Sequence, residues 1–252
     1  MANVVIPDVH AKQKVEIEFW RNSPDESPES NSLHNIVEKV SDTAILLDCF
    51  DRYQGRLAEH GRVLELGSGQ GWASCAYKRN FPDVTSIVTD ISPYAVQSLP
   101  KWERIFEVKI DHFYDCTSYE IKEPDSSIDQ IFCFAAAHHF LAHRRTLKEL
   151  YRVLKPGGKV FYFYEPATSK ALYSFAYWRV NRKRPEVPED VLITSKLRAL
   201  ATRTGLDLQV DYYPSLKRRG PLETLYFYML GRLPFLQKWV PCTANFIFTK
   251  RV

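Results

Sequence analysis

The stretch from Arg62 to Cys75, RVLELGSGQGWASC, carries the main information on the fold class. An apolar strand pattern runs into Gly67, Gly69 and Gly71, and a helical pattern begins directly afterwards. A glycine turn at the N-terminus of a helix brings backbone N–H groups close to a ligand. Gly67 can supply the positive φ of such a turn, Gly69 removes a side chain where a ligand approaches, and Gly71 lets the helix sit close to the strand. The stretch therefore predicts a ligand site at the end of a strand.

The spacing of the glycines distinguishes between kinds of ligand. A dinucleotide fingerprint has the spacing GxGxxG, whereas this turn reads GxGxG and is followed by Trp72. A P-loop needs Lys and Ser or Thr at its end, and neither follows Gly71. Asp90 ends the next strand pattern, 19 residues after Gly71, where an acidic residue accepts hydrogen bonds from both ribose hydroxyls. Together these features favour a ligand with an adenosine and without a pyrophosphate.

The pattern around this turn alternates between strands and helices. Strand patterns occur at 63–66, 86–89, 106–111, 129–134 and 159–165, and helix patterns at 71–80, from Ser92-Pro93 onward, and at 144–154. Strands separated by helices predict a parallel sheet covered on both faces. Two later strands are predicted at 206–213 and 244–252.

The flanking segments are predicted to be mainly helical. Residues 11–20 form a short helix pattern, 21–32 read as a Pro- and Ser-rich loop, and 32–59 read as one amphipathic helix. Further helical patterns cover 168–180 and 189–204, and a long insertion with an aromatic centre covers 215–243.

Five motifs in register resemble those of the class I S-adenosylmethionine-dependent methyltransferases. They are ELGSGQG, TDIS, YDCTSYEI, IDQIFCFAAAHHF and LKELYRVLKPGGKVFYFYE, and they cover about residues 60–165 in the expected order. The resemblance implies a Rossmann-like α/β three-layer sandwich with a seven-stranded, mostly parallel sheet whose last strand is antiparallel. It also divides the chain into an N-terminal helical lid or cap region, 1–59, and a methyltransferase domain, 60–252, with helical insertions at 166–205 and 215–243.

The same resemblance implies S-adenosylmethionine as cofactor, S-adenosylhomocysteine as product, and a set of cofactor contacts. In chain order the predicted contacts are Glu65, Gly67, Ser68, Gly69, Gly71, Asp90, Ile91, Asp115, Cys116, Phe134 and Ala135. Glu65 and the glycines surround the methionine part, Asp90 binds the ribose, and Ile91 packs on the adenine.

At the adenine, Asp115 accepts from the amino group, with Asp111 as a nearby competitor, and the Cys116 backbone meets a ring nitrogen. Phe134 and Ala135 face the methionine end of the cofactor.

Candidates for a general base follow the fourth and fifth strand patterns. His138 and His139 lie just after strand four, and both are candidates because histidine titrates near neutrality; of the two, His139 is slightly favoured. Glu165, which ends strand five, is a candidate base or substrate contact. The alternative is that these side chains only pack or form local hydrogen bonds. His139 and His143 have the spacing of two metal ligands, but no HExxH pattern or obvious third ligand accompanies them, so we predict no metal.

The acceptor is predicted to be a small molecule. Ala135 to Ala137 stand where DNA amino-methyltransferases carry a proline-aromatic motif, and the chain has no Pro-Cys nucleophile, so nucleic acid is disfavoured. The basic clusters RVNRKR (179–184) and KRR (217–219) are either solvated surface or sites for an anionic group. The predicted substrate contacts are Trp20, Arg182, Arg184 and Tyr228. These features predict transfer to an oxygen of a sugar, sugar nucleotide or lipid-linked glycan.

An alternative acceptor is a lipid or a quinone-like ring, because the segment 222–240 is apolar and aromatic. This segment is a buried helix pair, the lining of an acceptor pocket, a homodimer face or a peripheral membrane contact. An inactive cofactor-binding scaffold and an oxidoreductase are the alternatives from other classes.

Composition agrees with a soluble protein. The net charge is +4, and the five cysteines are scattered without a CxxC spacing, which predicts buried free thiols. No secretion signal and no apolar run of about 18 residues are evident, so a cytoplasmic location is expected.

Overall fold

A computed structural model of the protein describes residues 9–182, 189–217 and 219–252. The helices are α1 (Val9–Asn22), α2 (Leu33–Arg52), α3 (Trp72–Asn80), α4 (Pro93–Val96), α5 (Leu99–Phe106), α6 (His143–Val153), α7 (Tyr173–Asn181), α8 (Thr194–Thr204) and α9 (Pro221–Arg232). The strands are β1 (Gly61–Leu66), β2 (Val84–Asp90), β3 (His112–Asp115), β4 (Ile128–Phe134), β5 (Leu154–Thr168), β6 (Leu192–Ile193), β7 (Leu206–Tyr212) and β8 (Cys242–Lys250).

The strands form one mixed sheet in the order β3-β2-β1-β4-β5-β8-β7, and the two-residue β6 pairs with β5 in addition. The pairs β1–β2, β2–β3, β1–β4 and β4–β5 are parallel, whereas β8 runs antiparallel to both β5 and β7. The predicted fold class, a mostly parallel Rossmann-like sheet with an antiparallel last strand, is confirmed. The order reverses between β1 and β4, and a ligand crevice forms at the carboxyl ends of the strands at such a point.

Helices cover both faces of the sheet because its central strands are apolar on both sides. One core cluster joins α6 and α8 to the sheet and includes Leu147, Leu150, Leu197 and Phe248. The other joins α2, α3 and α5 to the opposite face and includes Ile45, Leu46, Cys75, Trp102 and Phe161. Burial on both faces removes the alternation of polar residues that a half-exposed strand would show.

The third strand is shifted from its predicted position. The stretch 106–111, predicted as a strand, contains the end of α5 and a loop, and β3 begins only at His112. Glu107 ends the helix with φ of 53°, and the Glu103 carboxylate accepts a hydrogen bond from the Ile110 N–H at 2.9 Å. Val108 and Ile110 pack against the core as loop residues, so their alternation came from packing and not from a strand.

The predicted helix over 32–59 is shorter and differently oriented. Helix α2 ends at Arg52, and its buried side includes Ile45, Leu46, Cys49 and Phe50. Leu33, Val37, Val40 and Leu47, which supplied the helical spacing, lie on the exposed side. The second of the predicted tail helices begins at Thr194 and not at 189.

The five cysteines are all buried and free, as predicted. Burial raises the pKa of Cys49, Cys116 and Cys242 to about 12. No helix in the described part of the chain has the length and apolar character needed to cross a membrane.

Candidate active site

The glycine turn connects β1 to α3 and has a left-handed backbone at all three glycines. The φ angles of Gly67, Gly69 and Gly71 are 71°, 53° and 81°. A Cβ at Gly71 would lie 2.7 Å from Leu99 Cδ1 and 3.4 Å from Val88 Cγ1, so a side chain here would clash with the packing of the turn. The turn therefore requires glycine both for its backbone conformation and for close packing.

Asp90 lies at the end of β2 and holds this turn in place. Its carboxylate accepts hydrogen bonds from the Gly69 N–H at 2.8 Å and from the Ser92 N–H at 2.9 Å. The group is buried, and burial raises its pKa to about 7 although the two backbone donors lower it. Because a carboxylate has about four acceptor positions, two remain available for ribose hydroxyls.

Glu65 and Ser68 are bound mainly by the protein itself. The buried Glu65 carboxylate accepts from the Ser74 N–H at 2.9 Å and the Ser74 hydroxyl at 2.5 Å, at the start of α3. Burial raises the pKa of Glu65 to about 8. The Ser68 N–H donates to the Thr89 carbonyl at 2.9 Å, which fastens the turn to β2.

The residues predicted for the adenine end lie after β2 and β3. Ile91 is half-buried. The exposed Asp115 carboxylate lies 3.8 Å from Lys122 Nζ, and it stands at the carboxyl end of β3. The Cys116 N–H already donates to the Asp90 carbonyl at 2.8 Å, which argues against its predicted contact with an adenine nitrogen.

Asp111, the predicted competitor of Asp115, has a structural role at the opposite end of the sheet. Its carboxylate accepts from the Ser86 N–H and hydroxyl at 2.8 and 3.0 Å and from Lys78 at 3.1 Å. Burial raises the pKa of Asp111, but these donors outweigh that effect and lower it overall.

Phe134 and Ala135, at the end of β4, form one wall of the crevice with Tyr164. The Phe134 ring stacks on Tyr164 with centroids 5.8 Å apart and meets Trp72 edge-on at 5.3 Å. Ala135 and Tyr164 have φ angles of 48° and 58°, a conformation that non-glycine residues rarely adopt. Such backbone conformations cluster at functional sites, where the surrounding structure enforces them.

Glu165 is a buried structural acceptor, which contradicts its predicted availability as a base. Its Oε1 accepts from the Ala136 and Ala137 N–H groups at 2.8 and 2.7 Å, and its Oε2 lies 2.8 Å from His138 Nδ1. Burial raises the pKa of Glu165, but His138 and the backbone donors outweigh it and lower the pKa below its ordinary value. His138 is buried and engaged by this carboxylate, so it is also a weaker candidate for a base.

His139 is the better-placed histidine, and its partner comes from α1. Its Nδ1 lies 2.7 Å from a Glu16 carboxylate oxygen, an ion-pair contact whose angle is not that of a hydrogen bond. Burial lowers the pKa of His139, but Glu16 outweighs this effect and raises the pKa above its ordinary value. Glu16 was missed at the sequence level because 123 positions separate it from His139, and nothing in its local pattern points there.

The structure also brings a third ligand-type residue to the histidines. His138, His139 and Glu189 offer atoms within 4.8 Å of one another. The pair predicted by spacing, His139 and His143, is not the pair that meets. Burial lowers the pKa of His143 to about 4, so this side chain is neutral at physiological pH. The absence of a metal stays a prediction.

Helix α1 and the loop after it lie over the glycine turn. A Cβ at Gly69 would meet the Trp20 indole at 3.0 Å, so Trp20 covers the cofactor turn and not a separate acceptor site. The buried Gln70 amide donates to the Glu26 carbonyl at 2.8 Å and accepts from Asn35 and Trp102, each at 3.1 Å. The loop 21–32 is therefore attached to the turn. Sequence analysis missed Gln70 as a site residue, although its position within the glycine motif could have indicated this role.

The remaining predicted substrate residues lie elsewhere. Arg182 is exposed over the Trp178 ring at 5.6 Å, and Tyr228 is half-exposed beneath Arg232 at 5.3 Å. Neither contact involves the glycine turn or His139. Arg184 lies outside the described residues.

The described part of the chain has two hollows, one of which lies near the candidate histidines. The nearer one is a cavity of about 150 Å³ and is lined by residues that include His143, Tyr173, Asp190 and Lys196. A larger surface hollow of about 570 Å³ lies along β3, and none of its lining residues belongs to the predicted site.

The residues at the carboxyl ends of β1 and β2 fit S-adenosylmethionine. The glycine turn keeps its backbone free of side chains at the glycines, and a Cβ at Gly67 would lie only 3.1 Å from Ala136 Cβ. Asp90 supplies a buried carboxylate beside it, and Asp115 supplies a second, exposed one at the end of the neighbouring strand. The individual contacts stay predictions.

Comparison with known proteins supports this assignment. Residues 64–162 match the family model of a methyltransferase domain. An uncharacterized methyltransferase of Bacillus subtilis, YcgJ, is 32% identical over 102 residues, 40% of this chain and 39% of that protein. A demethylmenaquinone methyltransferase of Thermus thermophilus is 26% identical over 118 residues, 46% of this chain and 52% of that protein. The chain thus spans about half, or less, of the length of the curated relatives it matches.

A solved structure agrees with the fold over almost the whole chain. Geranyl diphosphate C-methyltransferase from Streptomyces coelicolor A3(2), determined with Mg²⁺, geranyl diphosphate and S-adenosylhomocysteine, has a TM-score of 0.67 at 12% identity. The alignment covers 96% of this chain and 98% of that one. At this identity the likeness concerns the fold alone. In its motifs, its sheet order and the domain matched over residues 64–162, this chain is similar to the class I S-adenosylmethionine-dependent methyltransferases.

Proposed function

We propose that the protein transfers a methyl group from S-adenosylmethionine to a small molecule and that His139 is the general base. The supporting observation is that the cofactor turn and a titratable histidine share one crevice. Asp90, beside Gly69, lies close enough to both His139 and Glu16 for their charges to affect its pKa. A base placed beside the bound methyl donor is the arrangement that such a transfer needs.

When bound, S-adenosylmethionine supplies a methyl group activated by its sulfonium. The protein's part is to hold the acceptor in line and to remove a proton from it. With Nδ1 facing Glu16, the Nε2 of His139 takes that proton, and the negative Glu16 carboxylate stabilises the imidazolium that forms. Helix α1, with Trp20 over Gly69, covers the turn and excludes water from it.

For the acceptor we propose an apolar molecule that carries an ionisable ring or chain hydroxyl, as a lipid or quinol does. The demethylmenaquinone methyltransferases among the relatives support this class. The segment 222–240 supports it too, because much of its aromatic surface is exposed beside the methyltransferase core. A sugar-type or anionic acceptor, a homodimer and a cytoplasmic location stay predictions from the sequence.

The proposal is tested first by cofactor binding. Calorimetric titration should give micromolar binding of S-adenosylmethionine, no binding of NAD, and about 10- to 100-fold weaker S-adenosylmethionine binding in Asp90→Asn. Asp115→Asn is the matched control at an exposed carboxylate and should lose only a few-fold. Binding of NAD in preference to S-adenosylmethionine would overturn the cofactor assignment.

The acceptor class is tested by formation of S-adenosylhomocysteine with two sets of molecules. One set contains hydroxylated quinols and phenolic lipids, and the other contains sugars and sugar nucleotides. Turnover with the first set alone supports the proposed class, and turnover with the second alone restores the sugar prediction. Tight cofactor binding without turnover in either set, together with His139→Gln leaving the protein unchanged in all assays, would favour an inactive scaffold.

A further inference from the structure

The surface formed by α7, α9 and the turn after α9 is apolar although it is exposed. We call it the aromatic face. Its members are between 41% and 85% exposed, and they are Phe175, Trp178, Leu222, Leu225, Tyr228, Met229, Leu233, Phe235 and Trp239. Single exposed apolar residues are ordinary on a protein surface, but a contiguous group of this kind marks an interaction site.

The parts of this face are neighbours in space. Arg179 of α7 lies over the Tyr226 ring of α9 at 5.9 Å and 3.9 Å from the Glu223 carboxylate. The Ser169 hydroxyl, just before α7, donates to the Trp239 carbonyl at 2.7 Å. Helix α7 therefore lies beside α9 and the turn, and their outward residues form one surface.

Helix α9 is apolar on two sides, and packing within the chain explains only one of them. Phe227 and Leu230 are buried in a small cluster with Cys242. Leu222, Leu225, Met229 and Leu233 follow the helical spacing i, i+3, i+7 and i+11 on the outer side, where they are exposed. An apolar stripe at this spacing requires a partner, and within the described residues no part of the chain covers it.

The charge of the face is strongly positive. Between residues 169–182 and 220–241 the chain has five basic residues, Lys170, Arg179, Arg182, Arg232 and Lys238, and one acidic residue, Glu223. Three of the basic groups lie over aromatic rings of the face: Arg182 over Trp178 at 5.6 Å, Arg232 over Tyr228 at 5.3 Å, and Lys238 over Trp239 at 5.3 Å.

This combination fits a lipid surface with anionic headgroups. Trp and Tyr rings partition to the headgroup level of a bilayer, aliphatic side chains insert just below, and Lys and Arg attract anionic lipids. A second copy of the chain fits less well, because a two-fold interface would oppose this basic surface to itself. We infer that the aromatic face docks the protein onto the surface of a bilayer that contains anionic lipids.

The test uses the full chain and vesicles of two compositions. Flotation should show binding to vesicles of phosphatidylcholine with phosphatidylglycerol, much weaker binding to phosphatidylcholine alone, and release at high salt. Phe235→Ser and Trp239→Ser should each weaken the binding about tenfold through lost apolar burial. Arg232→Gln and Lys238→Gln should each weaken it about fivefold.

Matched controls lie on other surfaces. Phe113→Ser removes an exposed aromatic ring from β3, Arg104→Gln removes an exposed charge from α5, and both should bind like the wild type. No binding of folded protein to anionic vesicles, or equal loss in the controls, would overturn the inference. The inference would also be overturned if light scattering showed a dimer that Phe235→Ser dissociates and if the wild type did not bind vesicles. A second copy of the chain would then be the partner. Cofactor binding by the same variants should be unchanged, which keeps this result separate from the proposed activity.

Discussion

The two halves of the candidate site are built in different ways. In the cofactor half, the polar groups are held by partners 2 to 21 positions away in the chain: Glu65 by Ser74, and Asp90 by Gly69 and Ser92. In the acceptor half, the partners are distant: Glu165 binds the backbone after β4, and His139 contacts Glu16 of α1. A short motif therefore contains most of the partners of its own polar groups. The role of a single His or Glu, in contrast, depends on which residues the fold places beside it.

The largest expected effect concerns Glu165. Glu165→Ala leaves three buried N–H groups without their acceptor and the His138 ring without its partner, so we expect the free energy of unfolding to fall by about 3–5 kcal/mol. Urea denaturation measures this loss in the free energy of unfolding. The control is Glu120→Ala, at an exposed ion pair with Arg145, and it should lower the free energy of unfolding by no more than about 0.5 kcal/mol.

The pH dependence of this contribution has a definite sign. Because the pKa of Glu165 is lower in the folded protein than in the unfolded one, its stabilisation is present above the ordinary glutamate pKa and is lost as pH falls through the folded value. A stable Glu165→Ala variant would mean that this carboxylate is not structural, and the contrast between the halves would disappear.

A second prediction separates His139 from His143. His139→Gln should lower kcat/KM about 10²- to 10⁴-fold, because it removes the proposed base. His143→Gln is the matched control four residues further along the chain, at a side chain already neutral near pH 7, and it should keep activity close to that of the wild type. Steady-state formation of S-adenosylhomocysteine measures both, and equal losses would refute the assignment of His139.

The smallest expected effect is that of Glu16, the partner of His139 on α1. Glu16 raises the pKa of His139, and a base acts in its neutral form, so the acidic limb of the pH–rate profile should move to lower pH in Glu16→Gln. At high pH, kcat/KM should fall about two- to tenfold because a contact that orients the ring is weakened. Glu18→Gln, at a half-buried neighbour on the same helix, is the control. An unshifted limb would indicate that α1 does not act on the base.

These contrasts also explain how far the sequence could be interpreted. The glycine turn, the place of Asp90 at a strand end and the mostly parallel sheet were predictable because short motifs and the alternation of strands with helices indicate them. Glu165 was misassigned because the sequence shows only its position at a strand end. Its hydrogen bonds with Ala136, Ala137 and His138 occupy the carboxylate and depend on the tertiary structure.

Helix faces were the other weak point. The apolar spacing of Leu33, Val37, Val40 and Leu47 correctly predicts helix α2, but these residues face outward. Helical periodicity identifies an apolar stripe and does not tell whether the stripe meets the core, a ligand or another surface.

The three hydrogen bonds of Gln70 bear on which step limits the rate of turnover. They tie the loop 21–32, α2 and α5 to the cofactor turn, so we expect a spent cofactor to leave only after part of the N-terminal segment detaches. For the proposed methyl transfer, we expect exchange of product for fresh donor to be the slow step. Added viscogen should then lower kcat, whereas an isotopic label on the transferred methyl group should leave kcat unchanged.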